Sequence, residues 1–210
     1  MHRTQIWRWT FFIAGQLILS LGITLTIKGP LLGIAPWDVL HVGLYRMFGL
    51  TIGTWSIMTG FFIVGSTAIY LRRWPQVGTW INMILIGLFI DFFNWMIPDI
   101  PNVIGQTAVF ILGTVVMAVG LGMYVSPNIG AGPRDTLMLV LIEKTGWSVK
   151  SVRTGLEVTV ALAGWLIGGP IGIGTVIIAL FFGQLLQYTM PYFRELLGRL
   201  SDRPETVQIN

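Results

Sequence analysis

Apolar positions in this chain come in long runs with few interruptions, without the strict alternation of a half-buried strand. Six runs stand out, at about 9–27, 52–71, 77–97, 103–125, 151–168 and 173–193. Roughly 20 apolar residues let a helix cross the hydrocarbon core of a bilayer, so each run predicts a membrane span. Four carry no charged residue, while the third contains Asp91 and the fifth contains Arg153 and Glu157. Helix-stopping sequences separate them: Arg72-Arg73-Trp74-Pro75, Pro98-Asp99-Ile100-Pro101 and Gly168-Gly169-Pro170. Trp7, Trp9, Trp74, Trp80, Trp95, Trp147 and Tyr192 fall near span ends, the depth at which amphipathic rings settle. The first run follows Arg3 and Arg8 as a signal sequence would. It is long enough to span and lacks a small-residue cleavage site, so it reads as an uncleaved first helix.

Two further segments, Pro36–Phe48 and Pro133–Lys144, are apolar for too short a length to span and contain charge. They predict short re-entrant or interfacial helices. Lys and Arg collect on the cytoplasmic side of bacterial spans, which arbitrates between topologies. With six crossings and the N-terminus inside, basic residues divide 11 inside to 2 outside; with both short segments crossing, the division falls to 9 and 4. Six crossings with both termini cytoplasmic is the expected arrangement.

The two halves repeat. Leu21-Gly22 followed by Gly33-Ile34-Ala35-Pro36-Trp37-Asp38 recurs as Leu121-Gly122 followed by Gly130-Ala131-Gly132-Pro133-Arg134-Asp135. Leu40, Leu44, Gly49 and Thr51 match Leu137, Leu141, Gly146 and Ser148 at a constant offset of 97. After a one-residue gap, Val77-Gly78-Thr79 matches Ile173-Gly174-Thr175. Each half is then a long helix, a short helix and two long helices, with repeat 1 at about 9–98 and repeat 2 at about 103–193. Three crossings per half is an odd number, so the second copy enters from the opposite side. That is the inverted-topology plan of many secondary transporters, whose sites lie at the repeat interface. The expected fold is therefore all-α: one polytopic membrane domain over residues 1–193 and a polar cytoplasmic tail over 194–210.

Composition agrees. Of the 210 residues, 54% are hydrophobic and 10% charged, with a mean hydropathy of +0.75, where a soluble domain carries about a quarter charged. The net charge of +4 is scattered beside apolar spans and excludes a nucleic-acid face. The absence of cysteine excludes disulfides, thiol nucleophiles and thiolate metal sites. Walker loops, His-Glu-x-x-His and Gly-x-Ser-x-Gly are missing as well. No catalytic or metal-ligating set is expected, no cofactor is implied, and the chain is not expected to be an enzyme.

The charged residues of the short segments are the candidates for chemistry. A proline at the first helical position with an aspartate two residues on caps a helix and complements its dipole. Asp38 and Asp135 both fit that structural role. The alternative is that they face a cavity between the repeats and bind a cation, a proton or a basic group. Arg134 stands where the first copy has Trp37, and His41 lies one turn after Asp38. Asp91 is a carboxylate inside a span, which is a functional candidate by default. Arg153 and Glu157, spaced i,i+4, predict a structural ion pair.

Four stretches, Gly33-Ile34-Ala35-Pro36-Trp37-Asp38-Val39-Leu40, Gly132-Pro133-Arg134-Asp135, Arg153-Thr154-Gly155-x-Glu157 and Gly172-Ile173-Gly174-Thr175, resemble the hallmark sequences of the YczE/YyaS/YitT group of bacterial membrane proteins. The resemblance runs from about residue 10 to 193 and implies a bacterial cytoplasmic-membrane location. It carries no substrate and no residue roles. The expected function is a secondary-type transporter of a small molecule or ion, its site near Asp38 and Asp135. Such a site requires Pro36 and Pro133 to meet beside a cavity. The rival is a non-transporting accessory protein acting on a partner, whose docking surface is limited to residues 126–150 and the chain after Pro191. The bilayer is the expected partner, and a homo-oligomer is left open.

Overall fold

A computed structural model describes residues 2–130 and 132–201. Every regular element among them is helical: α1 His2–Lys28, a single 3-10 turn at Pro30–Leu32, α2 Pro36–Phe48, α3 Ile52–Leu71, α4 Val77–Met96, α5 Val103–Val125, α6 Pro133–Thr145, α7 Val149–Leu166 and α8 Ile173–Leu200. The order is long, short, long, long, stated twice. Five helices, α1, α3, α4, α5 and α8, are long and apolar enough to cross a membrane. The 18-residue α7 falls outside that set, and it carries Lys150, Arg153 and Glu157.

Local chemistry sets the helix ends. Thr51, Asn102 and Ser148 cap α3, α5 and α7, each accepting a backbone N–H three residues on. Both short helices begin with proline and stop at a glycine in the left-handed region, Gly49 (φ 74) and Gly146 (φ 68). A side chain at such a φ is strained, so glycine is the natural residue there. The tail expected to start at residue 194 is helical through Leu200 as a continuation of α8. Its remainder, 202–210, lies outside the described residues.

The central pair is α1 against α5, with α4 beside α1 and α8 beside α5. Small residues permit the approach: a Cβ on Gly22 would lie 2.8 Å from the Gly113 carbonyl, and a Cβ on Gly113 the same distance from that of Gly22. The short helices cross over. α2 lies on α7, and α6 lies on α3. The loop glycines interlock in the same crosswise sense, since Gly33 abuts Gly172 and Thr175 while Gly130 abuts Gly78 and Thr79.

Several interior hydroxyls are satisfied by backbone carbonyls, as lipid demands, whereas both amide atoms of the fully buried Gln16 have no hydrogen-bond partner. Thr24 donates to the Ser20 carbonyl, Thr26 to that of Ile23, and Ser20 across to that of Ile86. The outer face is the opposite of a soluble surface: Phe62, Ile69, Trp95 and Ile104 are each at least 78% exposed. Apolar exposure on that scale fits a surface covered by acyl chains.

Candidate functional site

The site grows from the first turns of the two short helices. Gly33 (φ 88) turns the chain after the 3-10 turn, Ala35 is extended, and Pro36 opens α2. Seven residues of this helix are buried, among them Trp37, Asp38 and His41. Asp38 is 1% exposed, and neither carboxylate oxygen has a hydrogen-bond partner. Its polar neighbours stand at longer range: His41 Nδ1 at 3.6 Å and a terminal guanidinium nitrogen of Arg134 at 3.8 Å. Both distances exceed a direct hydrogen bond. Asp38 therefore makes no capping bond to its helix.

Gly132 and Pro133 start α6 in the same way, and Arg134 follows. The Arg134 guanidinium crosses to the other half of the chain. It lies over the Trp37 ring, 4.9 Å from its centroid, and faces Asp38. Asp135 differs from its counterpart in being only partly buried. It stands in the first turn of α6 and forms no ion pair among the described residues. On α7, Arg153 Nε donates to Glu157 Oε1 at 3.1 Å, the pairing that the i,i+4 spacing predicts. The other oxygen, Glu157 Oε2, is buried without a partner.

These groups surround one cavity of about 170 Å³. Pro36, Trp37 and His41 line it from α2, Pro133, Arg134 and Asp135 from α6, and Arg153 and Glu157 from α7. Asn82 of α4, Tyr124 of α5 and Phe182 of α8 close it, with Leu19 and Ile23 from α1 and Ser56, Thr59, Gly60 and Ile63 from α3. Asp38 stands behind this lining, reached through His41 and Arg134. Asn82 Nδ2 and His41 Nδ1 are buried and carry no hydrogen bond.

Of the residues singled out from sequence, Asp135, Arg134, His41, Arg153 and Glu157 line this cavity and Asp38 backs it. Asp91 goes elsewhere. It accepts a hydrogen bond from Thr51 Oγ1 at 2.5 Å and from the Gly53 N–H at 2.8 Å, so α4 caps the start of α3. Trp37, Asn82 and Tyr124 had no separate signal, because an amide or aromatic in an apolar run looks the same whether it faces a cavity or a neighbour. Among the described residues no group of three or more His, Asp or Glu is placed to hold a metal.

The comparisons with known proteins cover nearly the whole chain. Residues 6–191 match a family described as "Family of unknown function (DUF6198)". The uncharacterized membrane protein YczE of Bacillus subtilis (strain 168) is 49% identical over 198 residues, spanning 94% of this chain and 92% of the relative. The uncharacterized protein YyaS of the same organism is 29% identical over 187 residues, 88% of this chain and 92% of the relative. An uncharacterized protein of Haemophilus influenzae is 31% identical over 192 residues, 89% of this chain and 83% of the relative. No solved structure gives a significant match. With more than half of its length matched and an architecture of apolar helices, the chain is a membrane protein belonging to the DUF6198 family of unknown function.

Proposed function

We propose that the chain is a secondary-type transporter of a small molecule or ion, built from two inverted copies of a three-span unit, with α7 as the sixth crossing. One observation carries the reading. The first turns of two short proline-entered helices, one from each half, line a single cavity, and Arg134 of one reaches Asp38 of the other. Discontinuous helices meeting at a repeat interface are how such transporters place their sites. The crosswise packing of α2 on α7 and α6 on α3 supports two interlocked copies. Charged groups inside a bundle are costly unless they line a pathway or pair with one another, and this cluster does both. The site would bind at the interface, and a rocking of one half against the other would open it alternately to the two sides. The location is the bacterial cytoplasmic membrane with both termini inside.

Two experiments test this. Purified protein in proteoliposomes is expected to move members of a substrate panel down an imposed gradient, with flux lost on replacing both Asp38 and Asp135 by Asn. Flux indifferent to that double change rejects the site. The cysteine-free chain also permits single cysteines at Gln76 and Asn102. An impermeant thiol reagent added outside is expected to label position 102 only; labelling at 76 alone sinks the six-span topology.

A further inference from the structure

The charges around the cavity do not balance. Asp38, Asp135 and Glu157 are three carboxylates, facing the two guanidiniums of Arg134 and Arg153, with His41 counted neutral. One formal negative charge is left over. The pairings locate it: Arg153 holds Glu157 at 3.1 Å, Arg134 faces Asp38 at 3.8 Å and stacks on Trp37, and Asp135 has no ion-pair partner among the described residues. Asp135 lines the cavity, and so does the buried Asn82, whose Nδ2 has no hydrogen-bond partner, while His41 turns its Nδ1 toward Asp38. An uncompensated charge in a low-dielectric site calls for a counter-charge.

The rest of the lining says what kind. Phe182, Ile178, Leu156, Met138 and Met117 make most of the wall apolar. A bare inorganic cation needs a shell of oxygen ligands; the wall offers the scattered oxygens of Ser56, Thr59, Asn82 and Tyr124 beside the two carboxylates, and among the described residues no group of three or more His, Asp or Glu is placed to close such a shell. A cavity of about 150 Å³ with apolar walls holds a benzene-sized body, and this one is about 170 Å³. An anion would meet the excess carboxylate, and a zwitterion would leave the charge unbalanced. Resting on the transporter reading for its purpose but not for its geometry, we propose that the cavity binds one small organic monocation: a protonated amine on a body about the size of one aromatic ring, with its ammonium at Asp135.

The test uses three probes of one size and different charge, benzylamine in its protonated form, benzyl alcohol and benzoate, on the full chain in lipid nanodiscs. Binding is read by calorimetry. Benzylammonium is expected to bind at least about 10-fold more tightly than either neighbour, since a charge-assisted hydrogen bond is worth that much. Asp135→Asn is expected to weaken it by on the order of 10- to 100-fold, Asp135→Glu to restore part of the loss, and Asp91→Asn to leave it unchanged. Benzyl alcohol or benzoate binding as well as benzylammonium, or no benzylammonium binding at all, overturns the proposal. The wild-type comparison of the three probes stands even if an Asp135 variant misfolds. Flux in proteoliposomes separates the two readings. Benzylammonium that binds but is never carried fails the transport reading and upholds the site, whereas flux confined to anionic or neutral solutes does the reverse.

Discussion

The helices α2 and α6 start from nearly the same sequence, with glycine, proline and aspartate in the same places and a left-handed glycine at the far end. They end in different surroundings. α2 buries seven residues against α7 and the core, and its aspartate is sealed at 1% exposure with no hydrogen bond. α6 buries only Pro133 and Val140, and its aspartate is partly buried and lines the cavity. One motif thus yields a buried charge faced by a neighbour's arginine and a carboxylate that lines the cavity. The difference teaches that Pro-x-Asp specifies a helix start, while the packing partner decides what its carboxylate is for.

The comparison can be broken most strongly at the contact that buries α2. A Cβ on Gly164 would overlap the backbone of Val39 and Leu40. Gly164→Leu is therefore expected to cost about 3 kcal/mol or more, read as a large fall in the midpoint of thermal unfolding in detergent. An unchanged midpoint would mean that α2 is not held by α7. α6 has no such glycine contact, so its seat on α3 is looser.

The next test asks whether the arginine truly couples to the buried aspartate. A double-mutant cycle of Asp38→Asn with Arg134→Gln is expected to show a coupling of about 1–2 kcal/mol, and Asp135→Asn with Arg153→Gln less than about 0.5 kcal/mol. Arg134 is 39% exposed in its side chain, which keeps the first figure below that of a fully buried pair. Equal couplings in the two cycles would erase the distinction between the helices.

Asp91 calibrates what a capping carboxylate is worth in this protein. Asp91→Ala removes the acceptor for the Gly53 N–H and for Thr51, so a loss of about 1 kcal/mol is expected. Asp135→Ala is expected to cost no more than that, since Asp135 has no ion pair among the described residues to lose. A much larger loss for Asp135→Ala would assign it a structural role closer to that of Asp38.

The smallest effect separates glycines that pack from one that does not. Nothing stands within 4 Å of a Cβ built on Gly155 of α7, whereas one on Gly43 of α2 would lie 2.7 Å from the Gly164 carbonyl. Gly155→Ala is expected to stabilise by about 0.5–1 kcal/mol and Gly43→Ala to destabilise. Measured midpoints moving the same way for both would show that the α2 contact yields.

The expected elements lie close to the observed helices because their signals are local. The run expected at 52–71 is α3, Ile52–Leu71, and that at 103–125 is α5, Val103–Val125. Proline and glycine marked the short helices to within a residue, Pro36–Phe48 and Pro133–Thr145. The Arg153–Glu157 pair was equally visible, since i,i+4 on one helix fixes the contact without any tertiary information. The cavity was legible only as an address between the repeats. Asp91 looked like the boldest functional residue, a carboxylate alone in an apolar run, and it caps a neighbouring helix. Asn82 and Tyr124 carried no such flag and line the site.

By itself, then, the sequence determined an all-helical membrane protein, where most of its helices start and stop, and which two short helices carry the charge; α1 begins earlier, at His2, and α8 runs on to Leu200. Run length, proline and glycine act through the backbone of the residue that bears them, so their consequences can be read in order along the chain. The tertiary structure alone decided that Arg134 answers Asp38 across the two halves, that Asp135 is left without an ion-pair partner at the cavity, and that Asp91 turns away. Those outcomes depend on the field and the hydrogen bonds around a side chain. Those surroundings are supplied by helices distant in sequence that meet only when the bundle closes.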